Sequence, residues 1–202
     1  MRKIIFAYIF ILINSIIFAN DFYLYQGIEN AVNTDKKIVS IDLKIGVDDQ
    51  TFISEENPYI ILIYDNDRMI WSSLNEIKEV FSKAEEWYKT AKANNVKSLN
   101  KEIFNDYSFV SSRGDNAQAD IKYSFLLFED KEKKLEYFIT IDEIDTPSLK
   151  NEYINVYIHK LFIGKEAISI INSKLSNEGL KKLKKELSEG IEKRNKTLEL
   201  FN

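Results

Sequence analysis

One histidine, no cysteine and 32 carboxylates bound the chemistry this 202-residue chain could perform. Without cysteine there is no thiolate nucleophile, no disulfide, no cysteine-based zinc site and no iron–sulfur cluster. A single imidazole, His159, excludes a multi-histidine metal site. On strand spacing His159 shares a face with Tyr153, Asn155 and Tyr157, opposite Ile154, Val156 and Ile158. A general base there would need a nucleophile to activate, and no G-x-S-x-G elbow accompanies it. We read it as a half-exposed strand histidine and assign no catalytic residue.

The carboxylates offer two arrangements. Asp65 and Asp67 flank Asn66, an oxygen cluster of the kind a hard cation takes, but the glycine and distant glutamate of a calcium loop are missing. Turn chemistry accounts for all three residues, so no metal is expected. Asp142, Glu143 and Asp145 could serve glycoside hydrolysis only if two of them faced each other across a cleft. A solvated strand end is the simpler reading. Arg113-Gly114-Asp115 is a tripeptide some adhesion receptors recognise, here in an ordinary polar stretch. The glycines form neither G-x-G-x-x-G nor a Walker pattern, so no nucleotide cofactor is expected. Lys181, Lys182, Lys184 and Lys185 make a basic run that could touch anionic lipid, glycan or nucleic acid. Glu178, Glu186, Glu189 and Glu192 dilute it, as on the wet face of an amphipathic helix.

The beginning of the chain reads as an address. Arg2 and Lys3 precede an apolar run from Ile4 to Ile13, extended by Ile16, Ile17 and Phe18 and closed by Ala19. This is the layout of a secretory signal peptide, with cleavage expected after Ala19. The apolar part is about 15 residues, short of the ~20 that span a bilayer comfortably. Ile17 is a poor −3 residue, and an uncleaved N-terminal anchor is the minority reading. No later segment could span a membrane as a helix. Loss of Arg2 and Lys3 leaves 26 basic against 32 acidic side chains, a net −6. Such a field does not suit nucleic acid. The abundance of Lys, Asn, Ile, Phe and Tyr together is what an AT-rich genome gives, so the aromatic content alone is not a binding signal.

The elements follow from hydrophobic period. Phe22–Ile28 suits a short strand. Val39, Ile41, Leu43, Ile45 and Val47 alternate with smaller or polar residues, the mark of a strand with one buried face. Asp48–Asn57 reads as a loop. Tyr59–Tyr64 is six apolar or aromatic residues in a row, a strand expected to be covered on both faces. Met69–Trp71 returns beside it. Ser73 and Glu76 form a capping box, and Ile77, Val80, Phe81, Ala84, Trp87 and Ala91 make one helical stripe, stopped at Asn94 and Asn95. Further strands are expected at Glu102–Val110, Ile121–Phe128, Leu135–Ile141 and Tyr153–Ile163. Ser111–Ala117 and Asp142–Lys150 read as loops. Ala167, Ile168, Ile171 and Leu175 mark a short helix; Leu180, Leu183, Leu187 and Ile191 mark a longer one.

Hairpin order with helices set apart predicts an α+β fold. Ordinary sheet sizes suggest a mostly antiparallel sheet of about six strands, one capped covering helix and two C-terminal helices. The expected division is a signal peptide at 1–19 and a single domain at 20–202, with the helices of 165–200 either packed on it or projecting as an arm. The expected function is non-enzymatic: an exported binding or assembly domain of a bacterial envelope or periplasm, meeting an envelope protein or glycan. The alternatives are a carboxylate-dependent hydrolase of envelope sugars and an inhibitor-type protein of a partner enzyme.

Overall fold

The computed structural model describes residues 23–33, 35–54, 57–64, 68–112, 115–143 and 158–199. Eight strands run in chain order: β1 (Tyr23–Asn33), β2 (Ile38–Val47), β3 (Tyr59–Tyr64), β4 (Arg68–Ser73), β5 (Ser98–Ser112), β6 (Asp115–Glu129), β7 (Leu135–Glu143) and β8 (Ile158–Gly164). Each is antiparallel to the next. The sheet then curls until β8 pairs back on β1, from Asn30↔Phe162 to Asn33↔Ile158, and the barrel closes. Four helices are described: α1 (Asp49–Ser54), α2 (Leu74–Ala93), α3 (Lys165–Leu175) and α4 (Asn177–Glu199).

This corrects the expected architecture. The class is α+β, but the sheet has eight strands rather than about six, and it curls round to close on itself rather than lying beneath one capped covering helix. Among the described residues, every expected strand contributes to it. The stretch read as a loop before Pro58 holds α1, whose Phe52 is buried. The stretch read as a loop from Ser111 to Ala117 is largely strand, because the β5–β6 ladder runs from Ser98↔Phe128 out to Ser112↔Asp115. Once two strands are in register, ladder hydrogen bonds carry polar residues with them.

Period two decides what lies inside. Ile41, Leu43, Ile45 and Val47 on β2, Ile60 and Leu62 on β3, Ile121, Tyr123, Phe125 and Leu127 on β6, and Ile139 and Ile141 on β7 are all buried inward. In a meander, alternate strands end at the same rim, so α1 after β2, α2 after β4 and α3 after β8 all start there. α2 lies against β3 to β7, and α3 against β1, β7 and β8. Their apolar faces, Ile77, Val80, Phe81 and Ala84 on α2 and Ala167, Ile168 and Ile171 on α3, join the inward strand residues in one core. The helices therefore stopper one end of the barrel. Trp87 is only partly buried. It stands one turn beyond Ala84, its ring edge on Phe125 at 5.9 Å and the Lys101 ammonium over its other side at 4.3 Å.

Local sequence fixes the helix ends. The Glu76 N–H donates to Ser73 Oγ at 3.3 Å and the Ser73 N–H to Glu76 Oε2 at 2.8 Å, closing the capping box. Asn95, at φ 55°, takes the left-handed turn after α2. α3 begins at Gly164, which has no capping side chain of its own. Glu29 on β1 supplies one: its Oε2 accepts from the Gly164 N–H at 3.0 Å, while its Oε1 accepts from the Tyr25 hydroxyl at 2.6 Å. A carboxylate is favoured at a helix N-terminus. Burial, and then the bond to Glu29, hold the Tyr25 phenol well above its ordinary pKa.

α4 packs on α3 and α1 rather than on the sheet. Leu183 and Leu187 are buried, Leu180 and Ile191 partly so, and Glu192 and Lys193 are exposed. The corner between α3 and α4 needs Gly179. A Cβ there would stand 2.4 Å from the Lys174 carbonyl oxygen and 2.6 Å from that of Ser173.

Candidate functional surface

Of the residues singled out for chemistry, His159 on β8, Asp142 and Glu143 at the end of β7 and the lysines of α4 lie among the described residues. His159 lies on β8, half-exposed; Tyr153, Asn155 and Tyr157, its expected face-mates, lie outside the described residues, as do Asp65, Asn66 and Asp67. Asp142 faces outward and is paired with Lys160 across the β7–β8 ladder at 3.0 Å. Asp145, Arg113 and Gly114 fall outside the described residues. Among the described residues no group of three metal-ligating side chains is drawn together. Lys181, Lys182, Lys184 and Lys185 are exposed on α4, and Lys182–Glu186 and Lys185–Glu189 lie 3.8 Å apart along it. Each such pair tempers the basic character of this face.

Two inner features are structural. Ser72 and Tyr123 hydrogen-bond at 2.9 Å in the interior, satisfying two polar groups among apolar neighbours. At the stoppered rim, Tyr88 of α2 stacks on Tyr137 of β7 at 4.3 Å, with the Lys165 ammonium 5.4 Å from the Tyr88 ring centre. Burial first, then the negative charge of Glu85, push the Tyr137 phenol up to about 12. A shallow cleft of about 290 Å³ between Tyr23, α3 and the start of α4 is lined by Ser173, Lys174 and Glu186, and Lys174 Nζ already donates to the Tyr23 carbonyl at 2.8 Å.

The unexplained chemistry lies on the outside. A barrel that crosses a membrane turns apolar residues out and polar residues in. Here the inside is apolar, and Asp42, Lys44, Glu102, Lys122, Asp142 and Lys160 sit on the outer face or its margins. Among the described residues, Ile28 and Ile38 stand 72% and 75% exposed on the outer face of β1 and β2, and two aromatic sectors also break that polar pattern. On β6 to β8, Phe128, Phe138 and Phe162 form a chain of rings, stacked at 5.8 Å and then edge-on at 6.2 Å. On β1 to β4, Tyr23, Tyr59, Ile61, Ile63, Met69 and Trp71 share one outward face. The register carries it across the sheet: Tyr23↔Gly46, Gly46↔Ile61, Ile61↔Trp71 and Ile63↔Met69. Tyr59 is 41% exposed and the others are partly exposed.

This row overturns the expectation that Tyr59–Tyr64 is covered on both faces. Its inner residues, Ile60, Leu62 and Tyr64, are buried; of its outer ones Tyr59 is exposed and Ile61 and Ile63 are partly exposed. The signal was in the sequence. A strand of a one-sided sheet alternates apolar with polar, and this one does not. Tyr23, Met69 and Trp71 carried no such mark, because only the register places them beside it.

Among the described residues no helix is long and apolar enough to cross a membrane. Compared with family models, with curated proteins and with solved structures, the chain matches none.

Proposed function

We propose that the chain is an exported, non-enzymatic binding domain of a bacterial envelope or periplasm, and that it works through the outer face of β1 to β4. The observation that carries this is the outward row from Tyr23 to Trp71 on a barrel whose interior is already filled by its own core. A packed interior leaves the outside as the place for recognition. An apolar patch of a few hundred Å² on a monomer's surface is often a functional one. The leader-like residues 1–19 support export.

The test is co-sedimentation of purified chain with washed envelope material. The chain should sediment with it, and an Ile61→Asp/Trp71→Asp variant with unchanged circular dichroism should stay in the supernatant. Equal sedimentation of both would remove the row from the function.

A further inference from the structure

A ring of strands closes only where its first strand meets its last, here β1 with β8. That ladder is bounded by the chain at both ends. At one end Asn33 turns back to Lys37, the Asn33 N–H donating to the Lys37 carbonyl at 3.0 Å. At the other, β8 gives way to α3 after Gly164. Four pairs lie between, Asn30↔Phe162 to Asn33↔Ile158, with a register shift among them. The ladder of β6 with β7 has nine, from Ile121↔Glu143 to Glu129↔Leu135. β4 and β5 also meet in four described pairs, but α2 joins those strands in sequence and packs on both.

A side chain extends the short seam. Beyond Asn30, β1 runs on against α3. There the Glu29 carboxylate accepts from the Gly164 N–H at 3.0 Å, across 135 positions of sequence. This is one more rung, set at the point where strand becomes helix. The same carboxylate accepts from the Tyr25 hydroxyl at 2.6 Å. Tyr25 reaches it by lying over Gly27, where a Cβ would collide with the tyrosine hydroxyl. The glycine leaves room for the tyrosine to steady the carboxylate. One side chain therefore ties β1 both to the end of β8 and to the start of α3.

A pairing with few rungs opens at lower free energy than the body of a sheet, and elements that share their ties open together. We infer that the barrel opens first at the β1–β8 seam, and that Tyr25 and Glu29 form a latch that makes the seam and α3 release as one unit.

Native-state hydrogen exchange on the full chain tests this. Amides of Asn30–Val32 and Lys160–Phe162 at the seam should exchange roughly tenfold faster, or more, than those of Tyr123–Leu127 on β6. Glu29→Ala should quicken the seam and the α3 amides of Ile170–Asn172 by a further factor of roughly ten, and leave β6 within about twofold. Should Glu29→Ala fail to fold, Gly27→Ala displaces Tyr25 while leaving Glu29 in place. It should quicken the seam by roughly threefold with β6 unchanged. Seam amides as slow as those of β6 in the wild type overturn the proposal. So does an equal rise at β6 in the variants, which would make Glu29 a contributor to global stability only. A seam that quickens while α3 stays slow, or a seam that the variants leave unchanged, overturns the latch.

Discussion

The two outward apolar sectors differ in one respect. On β6 to β8, Phe138 is flanked by Phe128 and Phe162, and each ring covers part of its neighbour. The Lys160–Asp142 and Lys122–Glu102 pairs lie on the same three strands and the adjoining β5. That sector is held together by its own contacts, although Phe128 keeps 38% of its surface exposed. On β1 to β4, Trp71 stands in register with aliphatic Ile61 on β3 and with Phe109 on β5. An aromatic count would rank the phenylalanine sector first. Contacts rank it second, because rings that cover each other have less left to offer a ligand.

The comparison can be broken or sharpened by mutation. An inner reference sets the scale: Phe81→Ala, fully buried where α2 meets the core, should cost about 3–5 kcal/mol in denaturant unfolding. Gly179→Ala forces a Cβ against two backbone carbonyls and should cost about 1–3 kcal/mol, with a lowered melting temperature. Phe138→Ala removes both ring contacts of the closed sector and should cost about 2 kcal/mol. Trp71→Ser, at a partly buried ring, should cost about 1–1.5 kcal/mol, less than Phe138→Ala. If Trp71→Ser costs as much as Phe138→Ala, the two sectors are alike and the distinction fails.

The stoppered rim has its own check. The Tyr137 phenol is pushed up to about 12 in the folded chain from its ordinary value of 10.0. Between those values the unfolded chain binds fewer protons than the native one, so stability is full below pH 10 and falls as pH rises toward 12. Tyr137→Phe should flatten the unfolding free energy measured across that window.

Much of the local structure was legible because its causes are local. The Ser73–Glu76 box, the stripe from Ile77 to Ala91 and the alternation on β2 depend on residues within a few positions of each other. Closure was not legible. It rests on a four-pair seam between β1 and β8, some 130 residues apart in sequence, with a register shift at Val32/Asn33. A typical sheet size gave six strands where the segments themselves numbered eight. Trp87 fits the helical period of α2, but the period cannot say where a helix leaves the core, and Lys101 caps the ring there. As for the site, one half of the row was present as an unbroken apolar run on β3. The other half needed the register that sets Tyr23, Met69 and Trp71 beside it.

The central claim is that the outer face of β1 to β4 is covered in the cell. A photoreactive amino acid placed at position 61, with a control at exposed position 82 on α2, tests it directly in living cells. The account predicts abundant adducts from position 61 and few from position 82. Equal yields at the two positions, or none at 61, would contradict it.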